Sequence, residues 1–373
     1  MKRKLSAITI AVGLAFAGGA FAQSTSSVDQ SGTGNSVTID QNNAPSSNAS
    51  VTQEGSLNQA AVTQTGSGQN ATVSTTGSVS ASATTDQQGA ANTANVTQTG
   101  VVTDSVSVNQ GGSGNSATVD QTNSIGDQAV IQQATVGSAA AVAQSDGSNN
   151  FVSVVQGGVA GNHQANVTQT ATNFSSANVV QLNDFGGAGN FATVNQSDSS
   201  GLTAAVQQDG TGNTVSVSQT VSTDSTVEVI QTGSVNAATA AQDGAIQNLI
   251  RISQDGTSNL ANVLQTNSEI ADALVTQTGT GNSAAVNQRD GDNLVANIFQ
   301  FGDLHSATTD QSGSFNELAI LQDGAGHRAT INQVGNGASL AQQNFASITQ
   351  AGFGHTATVS QNGNSNTAII TQQ

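Results

Sequence analysis

The chain has 373 residues, 41 of them glycine, with one proline, no cysteine, no tyrosine and no tryptophan. Six Lys and Arg stand against 23 Asp and Glu, a formal charge of −17. So acidic a chain repels nucleic acid and anionic lipid, and without cysteine it has no disulfide staples, thiolate metal sites or cysteine nucleophile.

Residues 1–22 read as a secretory signal peptide. Lys2, Arg3 and Lys4 form a basic start, Leu5 to Phe16 is mostly apolar, and Ala20-Phe21-Ala22 supplies small residues for cleavage between Ala22 and Gln23. Removing this segment leaves Arg251, Arg289 and Arg328 as the only basic residues, and a charge of −20. The apolar run is too short to span a bilayer, and no later run reaches the roughly 20 apolar residues a spanning helix needs.

From Val28 and Gln30 onward a single pattern recurs: a Gly- or Asn-rich corner, then Ala-x-Val or a close variant, one spacer, and Gln. It appears as Ala49, Val51, Gln53; Ala60, Val62, Gln64; Ala94, Val96, Gln98; Ala117, Val119, Gln121; Ala284, Val286, Gln288; and Ala368, Ile370, Gln372. Thirty-one segments fit, mostly eleven or twelve residues apart, including one with Thr75 in place of Gln and one of compressed spacing between Ser339 and Gln350. Alternation with period two, bounded by turn residues, predicts strands, and no helical period survives.

The alternation also orients each strand. Positions two and four before each Gln are apolar or small and carry no charge, whereas Asp29, Asp40, Asp120, Glu228, Arg251, Asp310 and Glu317 fall at odd offsets. Such parity predicts one buried face. At the corners, Gly112-Ser113-Gly114-Asn115, Gly210-Thr211-Gly212-Asn213 and Gly279-Thr280-Gly281-Asn282 supply residues that accept positive φ cheaply.

One 22-residue unit cannot fold alone. Ordering eleven residues costs on the order of 11 to 22 kcal/mol, and one buried Val returns only about 1.5 to 3. Units must therefore stack, which predicts an all-β fold: a β-solenoid, or cross-β stack, of about fifteen two-strand coils of 22–23 residues over 23–373. Its interior would be Ala and Val with amide ladders, each Gln and each corner Asn passing a hydrogen bond to the next rung. The repeat runs close to both ends of the sequence without a visible cap, so both ends are expected to be open to further strands.

The units Gln110-x-Gly112-x-Gly114-Asn115-x-Ala117-x-Val119-x-Gln121 and Gln277-x-Gly279-x-Gly281-Asn282-x-Ala284-x-Val286-x-Gln288 resemble the curlin repeat of curli fibre subunits. The resemblance covers nearly all of 23–373. It implies a secreted functional amyloid that polymerises with itself into fibres on the surface of a Gram-negative-type bacterium, used in biofilm matrix and adhesion. A nucleator subunit and an outer-membrane secretion pore are the further partners it implies. In that reading the inward ladder comprises the Ala, Val, Asn and Gln of these two units with Gln98, Gln361 and Gln372, and the turn residues are Gly112, Gly114, Gly210, Gly212, Gly279 and Gly281.

Other readings are weaker. His163, His305, His327 and His355 are far apart in sequence and sit at corners, and three arginines make no substrate clamp, so no catalytic residues and no cofactor are expected. Gly186-Gly187-Ala188-Gly189-Asn190 echoes a calcium-binding β-roll loop but lacks its aspartates, so no metal is expected. Outward threonines such as Thr63, Thr97 and Thr168 form no sustained ranks of the kind an ice-binding face needs. The remaining alternative is a monomeric secreted solenoid that serves as an adhesin without polymerising.

Overall fold

The computed structural model describes residues 10–13, 23–159, 161–183, 186–335 and 339–373. The signal segment expected over 1–22, Ala22 included, lies outside the described residues except for Ile10–Gly13, a short strand beside Val37–Asp40. Two compact units divide the chain, residues 1–189 and 190–373.

Both units are all-β and solenoidal. Consecutive strands alternate between two sheets, and each strand pairs in parallel with the next but one in sequence. Among the described residues the first unit has sheets of eight and seven strands, and the second has two of eight. Sequence identity and register coincide: Ser116–Thr122 pairs with Ala139–Ser145 so that Ala117 lies on Ala140, Val119 on Val142 and Gln121 on Gln144. Likewise Leu249–Thr257 pairs with Asp272–Thr280, placing Gln254 on Gln277 and Gly256 on Gly279.

The expected parity is present in the strands. In Ser116–Thr122 Ala117, Val119 and Gln121 are buried while the residues between them face out, and Ser283–Asp292 treats Ala284, Val286 and Gln288 the same way. Each core is a thin layer between two sheets, filled in most strands by two small or aliphatic residues and one Gln, as in Ala117, Val119 and Gln121 or Ile250, Ile252 and Gln254. The outward charges meet across rungs: Arg251 Nε lies 2.7 Å from Glu228, and Arg289 Nη2 2.9 Å from Asp310. Both pairs are exposed, so each contributes at most about 1 kcal/mol.

One expected segment is absent. Leu340–Gln342 forms a 3-10 turn, so Gln342 is not a rung. The next rung after Gln333 in sequence is Gln350, and both columns step 28 residues here, from Gln322 to Gln350 and from Gln333 to Gln361, with register restored. The insertion is absorbed in a corner because a loop there costs little, whereas a slip of one residue would turn every inward side chain outward.

Candidate functional site

Gln is unusual in a core, and its geometry accounts for its place. Each amide does two jobs. Gln110 Nε2 donates to Gln133 Oε1 of the next coil at 2.8 Å and also to the backbone carbonyl of Thr93 in the facing sheet at 2.9 Å. Gln277 donates to Gln300 at 2.8 Å and to Leu260 O at 3.0 Å; Gln288 donates to Gln311 at 3.0 Å and to Asp272 O at 3.1 Å. Gln98 and Gln121 continue the other sheet's column, at 2.9 and 2.8 Å to their next rungs. Amide and wall together satisfy a group that would be costly to bury alone.

These columns are polar. Every bond of the run Gln41, Gln64, Gln87, Gln110, Gln133, Gln156, Gln181 in the first unit goes from the Nε2 of one rung to the Oε1 of the next. In the second unit the runs end at Gln361, which accepts from Gln333, and at Gln372, which accepts from Gln350, both at 2.8 Å. Each column therefore turns acceptors toward lower-numbered rungs and donors toward higher ones. The last strands, Thr356–Asn362 and Thr367–Gln372, each pair on one side only among the described residues, so their outer backbone groups form a strand edge.

Of the corner Asn residues, Asn344 and Asn366 form the expected amide-to-amide ladder, Nδ2 of Asn344 donating to Asn316 Oδ1 at 2.8 Å and Nδ2 of Asn366 to Asn344 Oδ1 at 3.1 Å, but Asn115 and Asn282 do not. Asn115 instead clamps backbone: Nδ2 donates to Gly111 O at 2.6 Å and Thr135 O at 2.8 Å, and Oδ1 accepts from Ser138 N of the next coil at 2.9 Å. Asn282 repeats this with Thr278 O, Gly302 O and the His305 N–H, at 3.3, 2.8 and 3.0 Å. In these two turns the amide covers backbone carbonyls that the turn leaves open.

The turn glycines fall into two kinds. A Cβ on Gly112, Gly210 or Gly279 would lie 2.0 Å from the carbonyl oxygen of the next coil. Gly114, Gly212 and Gly281 need only positive φ, between 65° and 69°, and Ala91, Ser258 and Leu304 hold the same corner position in other coils. Spacing alone gives no way to separate the two columns.

Two features went unread in the sequence, and a third, Thr75, reads there only as a replacement for Gln. Histidines that look remote are neighbours: His305, His327 and His355 stack with ring centroids 5.1 and 5.2 Å apart and planes within 5°. They occupy the corner-Asn position, 22 and 28 residues being one coil each, and His305 and His327 are buried, as is His163 in the other unit. Asp104 and Asp127 are buried on successive rungs, six residues before their glutamines, where other coils carry Asn. Burial raises the carboxyl pKa of Asp104; it pushes Asp127 up to about 6, with the Asp104 charge adding to the effect. Ser124 Oγ donates to Asp104 at 2.5 Å, and Asn150 donates through its backbone N–H to Asp127 at 2.8 Å. Finally, Thr75 interrupts its column: Thr75 Oγ1 and Gln98 Oε1 are buried without partners, and pairing slips between Gln53 and Gly55.

Among the described residues no group of three or more His, Asp or Glu is arranged to hold a metal ion. Among the described residues no helix is long and apolar enough to cross a membrane. The curlin associated repeat family matches the chain at residues 44–77 and 342–373. No curated protein matches it.

Proposed function

We propose, from the premise that the chain is a member of the curlin repeat family, that it is a structural subunit, not an enzyme, of extracellular curli-like fibres that grow by strand-edge templating. The polarity of the amide columns carries this reading. A growing edge that presents Gln361 and Gln372 as donors matches a first coil whose Gln41 column begins with an acceptor, so a second copy can add head to tail in the register used inside the chain. The fibre would serve biofilm matrix and adhesion at the surface of a Gram-negative-type bacterium. Residues 1–22 would direct export with cleavage before Gln23, and a nucleator and an outer-membrane pore would be the accessory partners.

Seeded thioflavin T fluorescence on residues 23–373 tests this. The expected trace has a lag that preformed seeds abolish, and Gln361→Lys slows elongation at least about tenfold more than Thr358→Lys, because only the former buries a charge. A flat trace from a folded β-rich monomer would overturn the reading in favour of a solitary solenoid adhesin. Equal rates for the two variants would refute the role of the inward column.

A further inference from the structure

At one corner of each coil in the second unit, the clamp is Asn up to Asn282 and His from His305 onward, while the opposite corner of the His-bearing coils keeps Asn316 and Asn344. Asn213, Asn236, Asn259 and Asn282 each accept the backbone N–H of the next coil at Oδ1, at 3.0 Å throughout. The imidazoles repeat both jobs. Nε2 of His305 bonds Phe301 O at 2.9 Å and Nε2 of His327 bonds Asp323 O at 3.0 Å, each four residues back, as Asn282 Nδ2 bonds Thr278 O. Nδ1 of His305 accepts the His327 N–H at 3.3 Å, and Nδ1 of His327 accepts the His355 N–H at 3.1 Å.

A carbonyl can only accept and a backbone N–H can only donate, so these two rings must carry hydrogen on Nε2 and none on Nδ1. An amide serves both partners at any ordinary pH. Imidazole does so only while neutral, because a second proton on Nδ1 would point at an N–H and place cations about 5 Å apart in a column.

We infer that the His305–His327–His355 column is an acid-sensitive clasp, closing the coils around it when the rings are neutral and loosening them on acidification, while the Asn-clamped coils stay closed. Several charges surround the column. Asp303 and Asp323 favour the protonated form of His305, and the neighbouring His327 opposes it; Arg328 follows His327 directly. On the strands packed there, Glu317 accepts from Gln343 and Asp310 pairs with Arg289. Desolvation outweighs these charges at His305 and lowers its pKa from the usual 6.5. Because the unfolded chain takes up that proton first, the stabilisation is complete above 6.5 and is lost as pH falls through the lowered value.

Hydrogen exchange on the full chain, corrected for the intrinsic pH dependence of exchange, reads the clasp directly and does not depend on whether the chain polymerises. Between pH 7.5 and 5.0, protection in 294–334 should fall at least about tenfold relative to the Asn-clamped segment 226–266; one buried ring that stays neutral at pH 5.0 bounds its own effect at about 30-fold. Replacing His305, His327 and His355 together by Asn should abolish that differential fall. Should the triple variant lose structure at pH 7.5, His327→Asn alone must still reduce it. Full protection of the wild-type segment at pH 5.0, or an undiminished fall in the variants, overturns the proposal.

Discussion

Asp127 stands where most coils carry a neutral clamp, and replacing it should stabilise the protein at neutral pH. Its carboxyl is pushed from 3.8 to about 6, first by burial and partly by Asp104 one rung away, against the Asn150 hydrogen bonds that favour the anion. The native state thus holds its proton more tightly than the unfolded chain. Stability falls as pH rises through the window from 3.8 to about 6, and the loss is complete above it. A shift of about two units corresponds to about 3 kcal/mol, or roughly 100-fold in a local opening constant, as an upper figure. Asp127→Asn removes the charge and restores the donor that Asn115 supplies in its own turn. At pH 7.5, amides of Ser105–Ser113 and Gln128–Val136 should exchange up to about 100-fold more slowly in the variant, and the advantage should shrink toward pH 4. A variant no better protected than wild type at pH 7.5, or an advantage independent of pH, would refute the argument that an uncompensated buried carboxylate is the cause.

Two further outcomes follow from the corners and the broken column. Gly279→Ala should cost at least about 3 kcal/mol by denaturant unfolding, because its Cβ meets the Gly302 carbonyl oxygen at 2.0 Å and no rotamer relieves a backbone clash. Gly281→Ala should cost only about 1 to 2 kcal/mol, the ordinary penalty of the left-handed region, since the equivalent position tolerates Leu304. Thr75→Gln should raise stability by about 1 to 3 kcal/mol, by giving Gln98 Oε1 a donor and Gln53 a continuing rung; an unchanged midpoint would mean that the orphaned atoms cost nothing.

The two titrating corners oppose each other. Acid relieves the Asp104–Asp127 pair in the first unit and strains the histidine column in the second, so pH should redistribute stability along the chain.

Strands, their buried parity and their stacking were legible because each follows from local rules repeated many times. Ala117, Val119 and Gln121 alternate with outward residues, and no charge interrupts the set. A sequence with that period has few other ways to bury its apolar atoms, and strands that fail singly succeed together. What needed the tertiary structure is everything that depends on the rise from one coil to the next. That rise brings His305, His327 and His355 within about 5 Å although 22 and 28 residues separate them, and it sets Gly112 against Thr135 O while leaving Gly114 free of such a clash. It also turns Asn115 into a backbone clamp instead of a ladder rung, and hides Asp104 and Asp127 at the corner, where the inward parity extends one step beyond the offsets of two and four that carry no charge. The period in sequence determines which face is inside; contact across coils decides what each corner residue must be.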